Sequence, residues 1–418
     1  MSKQEQVQIR LTTKQPKYSV NDAPILVPST LKRYGLSELV NNLLDLDTHV
    51  PFEFLIDGEI LRTSIAKYLA ERHLSTENIV VIEYMESMLP PQKLASFQHD
   101  DWISSVKGYA NNYLTGSYDN NVRLWNDSGE CVYTLTGHKD AVKAVDIGLN
   151  QDGFLTIFSA GMDRKAMVWQ ITGDEPNLLY ECNGHSDGIQ CLTVSKSLSH
   201  FATASNDSTI RIWSNSAPTE DEASANVAHT KKKKRVENAG QIKTSATLLE
   251  GHIGAVNDIA FNEDQPNILY SGGWDHSIRS WDIDQQVNTM TKNCEKVVLA
   301  VDYSNYSGLI ATGHTDSDIR LWDPRSEDGV NVKLSLRGHQ KWVSSVSWAP
   351  QSAYTLCSGS YDGTVRVWDI RSKGSVYTME EGQEKMFAVD WCDGRILSGG
   401  ESQMLSIFET GSLSLSQS

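Results

Sequence analysis

The ten residues GSYDGTVRVW, Gly359 to Trp368, decide the fold because they recur along the chain. The same frame, a small-residue pair, an Asp, β-branched residues and a Trp, appears as GSYDNNVRLW ending at Trp125, AGMDRKAMVW at Trp169, ASNDSTIRIW at Trp213, GGWDHSIRSW at Trp281 and GHTDSDIRLW at Trp322. A degenerate copy, GGESQMLSIF, ends at Phe408. Successive endpoints lie 44, 44, 68, 41, 46 and 40 residues apart, so five of six intervals match the ~40–45-residue period of a four-stranded propeller blade, and the outlier carries an insertion. The fold expected is mainly β, a seven-bladed propeller over residues 101–411. The chain has 418 residues, too many for one ordinary core but natural for one built by repetition.

A second marker, Gly-His, precedes four units at Gly137-His138, Gly184-His185, Gly251-His252 and Gly338-His339. Gly-His followed by Trp resembles the WD repeat, and Asp282, Asp323 and Asp369 complete the Trp-Asp pair in three units. In that family the His, the turn Asp, a strand hydroxyl and the indole N–H form a hydrogen-bond chain inside each blade. The sets implied are His138, Asp163 and Trp169; His185, Asp207 and Trp213; His252, Asp275 and Trp281; His339, Asp362 and Trp368. A His beside an Asp also suits a catalytic dyad, but four copies at one phase fit a structural repeat better than one active site. Units one, five and seven lack Gly-His at this phase, so their blades are expected to lose the network and rely on packing. Because little chain remains after Phe408, the outer strand of blade seven is expected from Lys93–Gln98, within a linker and closing strand at 90–100, leaving 412–418 as a tail.

Residues 1–89 carry none of this repetition. Val7–Thr13 alternates as a half-buried strand, Ile25–Val27 offers a second, and Leu36, Leu39, Val40, Leu43 and Leu44 mark a helix with one apolar face. FEFLI-DG-EIL is a hairpin turning at Asp57-Gly58, and Asn78–Tyr84 is a last strand. That order is the ubiquitin-like β-grasp.

A β-grasp segment before such a ring, with LKRYGLSELVNNLL (Leu31–Leu44), PFEFLIDGEILRTSIAKYL (Pro51–Leu69) and the Pro90-Pro91 exit, resembles the NLE-domain WD-repeat ribosome-biogenesis proteins of the PeBoW complex. The resemblance implies a non-catalytic scaffold in 60S subunit maturation and pre-rRNA processing, with the block-of-proliferation protein, pescadillo and pre-60S particles as partners. It further implies that a glutamate of the NLE domain, here Glu77, ligates the Mg²⁺ in the adhesion site of the AAA ATPase midasin, while this chain binds no cofactor or metal by itself. Oxygen ligands on such an ion leave exchangeable water positions that a carboxylate can take. Without the resemblance, Glu59, Glu83 and Glu86 compete equally with Glu77.

Charge and composition bound the alternatives. Thirty-seven basic against 53 acidic residues give −16, which disfavours broad binding to nucleic acid or anionic lipid, so RNA contact is expected to be local at most. Ser214–Ala246 is polar and reads as a disordered insertion between blades three and four, net +2, with a basic run Lys231, Lys232, Lys233, Lys234 and Arg235 of nuclear-import type. The expected location is nucleus, nucleolus and nucleoplasm, with no membrane association. Six scattered cysteines without C-x-x-C read as reduced core thiols. Six of the eleven tryptophans are repeat markers, so their abundance is read as repetition and not as an aromatic binding groove. No G-x-x-x-x-G-K-[ST], H-E-x-x-H or G-x-S-x-G motif appears, which makes an enzyme improbable. The remaining alternative is a WD-repeat substrate receptor of a ubiquitin ligase or signalling complex.

Overall fold

The computed structural model describes residues 6–46, 48–73, 78–150, 153–172, 175–216, 241–326, 332–372, 374–380 and 382–410. Two compact units divide the chain near residue 90.

The first unit is one five-stranded sheet with helices on one face. β1 (Gln6–Thr12), β2 (Ile25–Pro28), β3 (Phe52–Ile56), β4 (Glu59–Ile60) and β5 (Val80–Glu86) order as β2-β1-β5-β3-β4. β1 and β5 run parallel at the centre, and the other pairings are antiparallel, which is the β-grasp arrangement. Asp57 and Gly58, both at positive φ, make the tight β3–β4 turn. Helix α1 (Arg33–Leu44) buries Leu36, Ser37, Val40 and Asn41, while Leu43, expected on the apolar face, is 47% exposed. Leu39 and Leu44 still pack against the core, and the inward place of Ser37 and Asn41 has a polar cause. Asn41 donates to and accepts from the backbone of Val50, and the Ser37 hydroxyl accepts the Phe52 amide, so the helix turns these two inward to bracket the entry to β3. A second helix, α2 (Ile65–Glu71), is absent from the sequence reading although Ser64 caps it by accepting the Lys67 amide.

The second unit is a ring of seven sheets. Each has four antiparallel strands in sequence order, except that the seventh takes its outer strand, β6 (Gln92–Gln98), from the start of the unit. The innermost strands pack in succession around the ring, and that of the seventh sheet packs on Ile103–Tyr109 of the first, which closes it. The small-residue pair of the repeat now has a reason. Its first member faces the inner strand of the next blade: a Cβ on Gly272 would fall 2.4 Å from Val298 and one on Gly399 would fall 2.6 Å from Ile103. All seven inner strands carry a register shift after their first residue, as between Val142 and Ala144, which turns the skipped side chain toward the axis.

The insertion sits elsewhere than expected. Thr247–Glu250 is the outer strand of blade three and pairs with Thr209–Ser214, so the extra residues lie inside blade three and not between blades three and four. Nor is the whole of 214–246 without structure. Gln241–Lys243 adds a fifth, parallel strand to the outer edge of blade two, where the Lys243 ammonium lies 4.8 Å from the Tyr180 ring centroid and donates to the Ser216 carbonyl. Edge pairing and that cation–π contact order the end of a polar segment.

Candidate functional site

Each of the four sets inferred from Gly-His is brought together, and a bridging hydroxyl orders the chain of donors. In blade six, Trp368 Nε1 donates to Ser358 Oγ (2.8 Å), the hydroxyl meets His339 Nε2 (2.7 Å), and His339 Nδ1 meets Asp362 (3.0 Å). An ionised Asp only accepts, so Nδ1 carries the proton and Nε2 accepts from the hydroxyl, which makes the imidazole neutral. Ser159 bridges His138 to Trp169, with Asp163 at 3.1 Å from the imidazole. Thr203 bridges His185 to Trp213, with Asp207 at 2.9 Å. Ser271 bridges His252 to Trp281, with Asp275 at 2.9 Å. Burial pushes the His185 and His339 imidazoles below their ordinary value. Burial alone would raise the Asp207 carboxyl, but the Thr209 hydroxyl, the Ser186 amide and His185 outweigh it and hold it at about 2.

Blades one and five do not lose the bridge, contrary to expectation. His99, preceded by Gln98 and not Gly, meets Thr115 Oγ1 at 2.8 Å, and the same hydroxyl accepts from Trp125 Nε1 at 3.0 Å. In blade five His314, from inside the strand, reaches Thr312 Oγ1 at 2.8 Å beneath Trp322 Nε1. His99 stands 26 residues before its Trp, so dropping the Gly requirement exposes it in the sequence. The turn Asp of these blades is freed for arginine: Asp119 pairs with Arg123 and Asp316 with Arg320, each at 2.6 Å. Blade seven has Phe408 at the position of the repeat Trp, so no indole donates there.

A second layer of polar groups, unseen in the sequence, joins neighbouring blades. Inner-strand side chains accept amides of the next inner strand: Ser105 from Val145, Asp146 from Val194, Asp258 from Val301, Asp302 from Trp348, Ser345 from Val389 and Asp390 from Gly108. Cys191 Sγ–H donates to Asp258 (2.8 Å) at the remaining junction. Lys107 Nζ bonds Asp390 at 3.0 Å and is held strongly protonated by it. Burial pushes Asp258 up to about 6 and Asp302 up to about 7. Of the cysteines only Cys182 and Cys357 are buried, and Cys131 is exposed, so the core-thiol reading holds for two.

These groups line a central cavity of about 430 Å³ whose mouth is aromatic. Trp102, Tyr118, Phe387, Tyr361 and Trp342 form a continuous arc across blades one, seven and six, with successive centroids 5.6 to 6.2 Å apart. Trp274 stands on blade four. Trp102, Trp274 and Trp342 are 38%, 48% and 41% exposed, so three of the five tryptophans that do not end a repeat unit belong to an aromatic opening, which the sequence alone did not suggest. The available signal was the residue before the motif Asp, which the blade network does not constrain: Tyr118, Trp274 and Tyr361 occupy it.

The remaining candidates lie outside the described residues: Glu77, between α2 and β5, and Lys231, Lys232, Lys233, Lys234 and Arg235 of the insertion. Among the described residues no group of three or more His, Cys, Asp or Glu side chains is placed to hold a metal ion.

Fold and repeat chemistry define a WD-repeat propeller preceded by a β-grasp domain. The NLE (NUC135) domain model matches residues 7–69, and the WD domain, G-beta repeat model matches six segments: 91–126, 129–170, 176–214, 243–282, 284–323 and 331–369. The chain is 35% identical to the ribosome biogenesis protein WDR12 homolog of Nematostella vectensis over 98% of its own length and all of that protein. It is 36% identical to the ribosome biogenesis protein ytm1 of Schizosaccharomyces pombe, covering 99% and 98%, and 34% identical to its counterpart YTM1 in Kluyveromyces lactis, covering 96% and 97%. The chain belongs to this family of NLE-domain WD-repeat ribosome biogenesis proteins.

Proposed function

We propose that this protein is a non-catalytic scaffold in large-subunit (60S) biogenesis and pre-rRNA processing, working in the nucleolus and nucleoplasm. The observation that carries the reading is the end-to-end likeness, both domains in the same order, to proteins named for ribosome biogenesis. The His–Asp pairs support it, because every one is tied through a hydroxyl to an indole inside a blade and none opens onto a cleft as a dyad would. The ring docks on the propeller of the block-of-proliferation protein and through it joins pescadillo. Glu77 of the NLE domain supplies a carboxylate to the Mg²⁺ of midasin, which removes the protein from pre-60S particles.

The test is affinity purification of wild type and Glu77→Ala. Both are expected to retain pescadillo and the block-of-proliferation protein, and the variant is expected to lose Mg²⁺-dependent binding to midasin. Recovery of cullin components in place of pre-60S particles would sink the scaffold reading.

A further inference from the structure

We infer that β6 is a mechanical latch: a pull on the first unit is delivered to the one strand that closes the ring and peels it away. The inference deepens the scaffold reading, on which it rests only for the point where the pull enters, Glu77.

The first ground is the order of elements along the chain. Glu77 stands three residues before β5, and only Ser87–Pro91 separates the end of β5 from the start of β6. Pro90 and Pro91 stiffen that connection, so it takes up little load by stretching. A pull at Glu77 therefore runs through β5 and arrives at Gln92 with no other element between. Of the two strands, β5 is the better held. It lies between β1 and β3 and pairs with both, and Val80, Ile82 and Tyr84 are buried. A load that enters one end of β5 and leaves by the other is shared among all those bonds. β6 pairs on one side only, with Met404–Glu409; none of its residues is buried, and Leu94 is 52% exposed. A ladder loaded at one end gives way one bond at a time.

The second ground is where that ladder sits. Gln92, the residue the pull reaches first, faces Glu409, the last residue of the strand it pairs with, so the ring opens from the two ends of its own chain. In the other six blades the outer strand follows its neighbour along the chain and offers no such end. Besides the ladder, β6 is held by Phe97, stacked on Trp125 of blade one at 5.5 Å, and by Lys93, whose ammonium lies 5.9 Å from the Phe408 centroid. The residue after Gln98 is His99, whose imidazole meets the Thr115 hydroxyl beneath Trp125. Peeling that passes Gln98 thus strips the outer strand from blade seven and the bridging imidazole from blade one together. Two adjacent blades lose support at once, which turns a pull on the first unit into release of the ring from whatever it is bound to.

The experiment stretches the full chain in optical tweezers between handles attached through azide-bearing residues incorporated at positions 77 and 286. Gln286 lies in a turn of blade four, across the ring from blade seven, so the load runs outward along the bonds between the strands of blade seven. The first event is expected to lengthen the tether by about 25 Å, the seven residues of β6 at roughly 3.3–3.6 Å each, and to reverse on relaxation. Ser96 and Ser406 face each other across the ladder, so Ser96→Cys/Ser406→Cys should lose this event when oxidised and regain it when reduced. Unfolding of the first unit before β6 leaves, or the same event in the oxidised variant, would overturn the inference. In a second arm the oxidised variant, loaded on pre-60S particles, is expected to bind midasin with Mg²⁺ as wild type does but to lose ATP-dependent release, which reduction restores. Release at the wild-type rate would overturn the latch while leaving the scaffold reading intact. Failure of wild type itself to bind midasin would remove Glu77 as the point of pull, and the tweezers traces would still decide whether β6 is the strand that yields.

Discussion

Replacing Ser358 with Ala tests the internal blade network directly. The hydroxyl is fully buried and serves two partners, Trp368 Nε1 at 2.8 Å and His339 Nε2 at 2.7 Å. Its removal strands an indole donor and an imidazole acceptor where water does not reach. Each orphaned group costs about 1–3 kcal/mol, so the variant should lose about 2–6 kcal/mol in total. Ser358→Thr should restore most of it, because Thr115, Thr203 and Thr312 hold the same place in blades one, three and five. The control is Ser406→Ala in blade seven, where a fully buried hydroxyl has no hydrogen-bond partner among the described residues; this change should be neutral or slightly stabilising. Urea unfolding followed by circular dichroism gives the midpoints, compared at constant slope. If Ser358→Ala shifts stability by less than about 0.5 kcal/mol, or if Ser406→Ala costs as much, the hydroxyl is not what holds the network.

Other predictions concern closure, charge and pH. Deleting residues 1–98 removes β6 and should lower the urea midpoint of the ring, whereas deleting 1–89 should leave it unchanged; equal midpoints would show that β6 does not close the ring. Lys107→Met leaves the buried Asp390 without an ammonium that is itself 42% exposed, so the loss should be about 1–2 kcal/mol, measured against Lys107→Arg, which keeps the charge. Burial holds His99 and His314 at about 4, so the stability they contribute is present above their unfolded value near 6.5 and is lost as pH falls toward 4. Asp258 and Asp302 are raised, so their effect opposes this: they favour the folded state at low pH and disfavour it as pH rises through about 6 and about 7. The two pairs nearly cancel between pH 6.5 and 4.5, and Asp302→Asn should unmask the histidines as a loss of about 1 kcal/mol per pH unit relative to wild type. Parallel melting-temperature profiles for the two proteins would refute that assignment. Alanine substitution of Lys231 to Arg235 should exclude a fluorescent fusion from the nucleus, and unchanged nuclear signal would assign import to another segment or a partner.

What was legible in the sequence depended on whether a constraint acts within one repeat. Gly-His, the turn Asp and the Trp lie within one blade, so the four complete networks follow from spacing. His99 and His314 escaped because the bridge needs only an imidazole nitrogen near a hydroxyl, which chains of different sequence can supply. In the first unit the apolar spacing of α1 located the helix and put Leu36, Leu39, Val40 and Leu44 on the core, but it missed that Ser37 and Asn41 are inward and Leu43 outward, because hydropathy does not register a buried hydrogen bond.

The sequence by itself determined the repeat, the seven units, the β-grasp order and the family, because each is encoded in residues close along the chain or in a period that repeats. Only the tertiary structure decided which residues meet across blades: the ladder from Ser105 to Asp390, the strand Gln241–Lys243 on blade two, and the aromatic mouth. Trp102 and Trp342 lie 240 positions apart yet share one arc through Tyr118, Phe387 and Tyr361. No local pattern contains that fact, because ring closure is what brings the first blade beside the last.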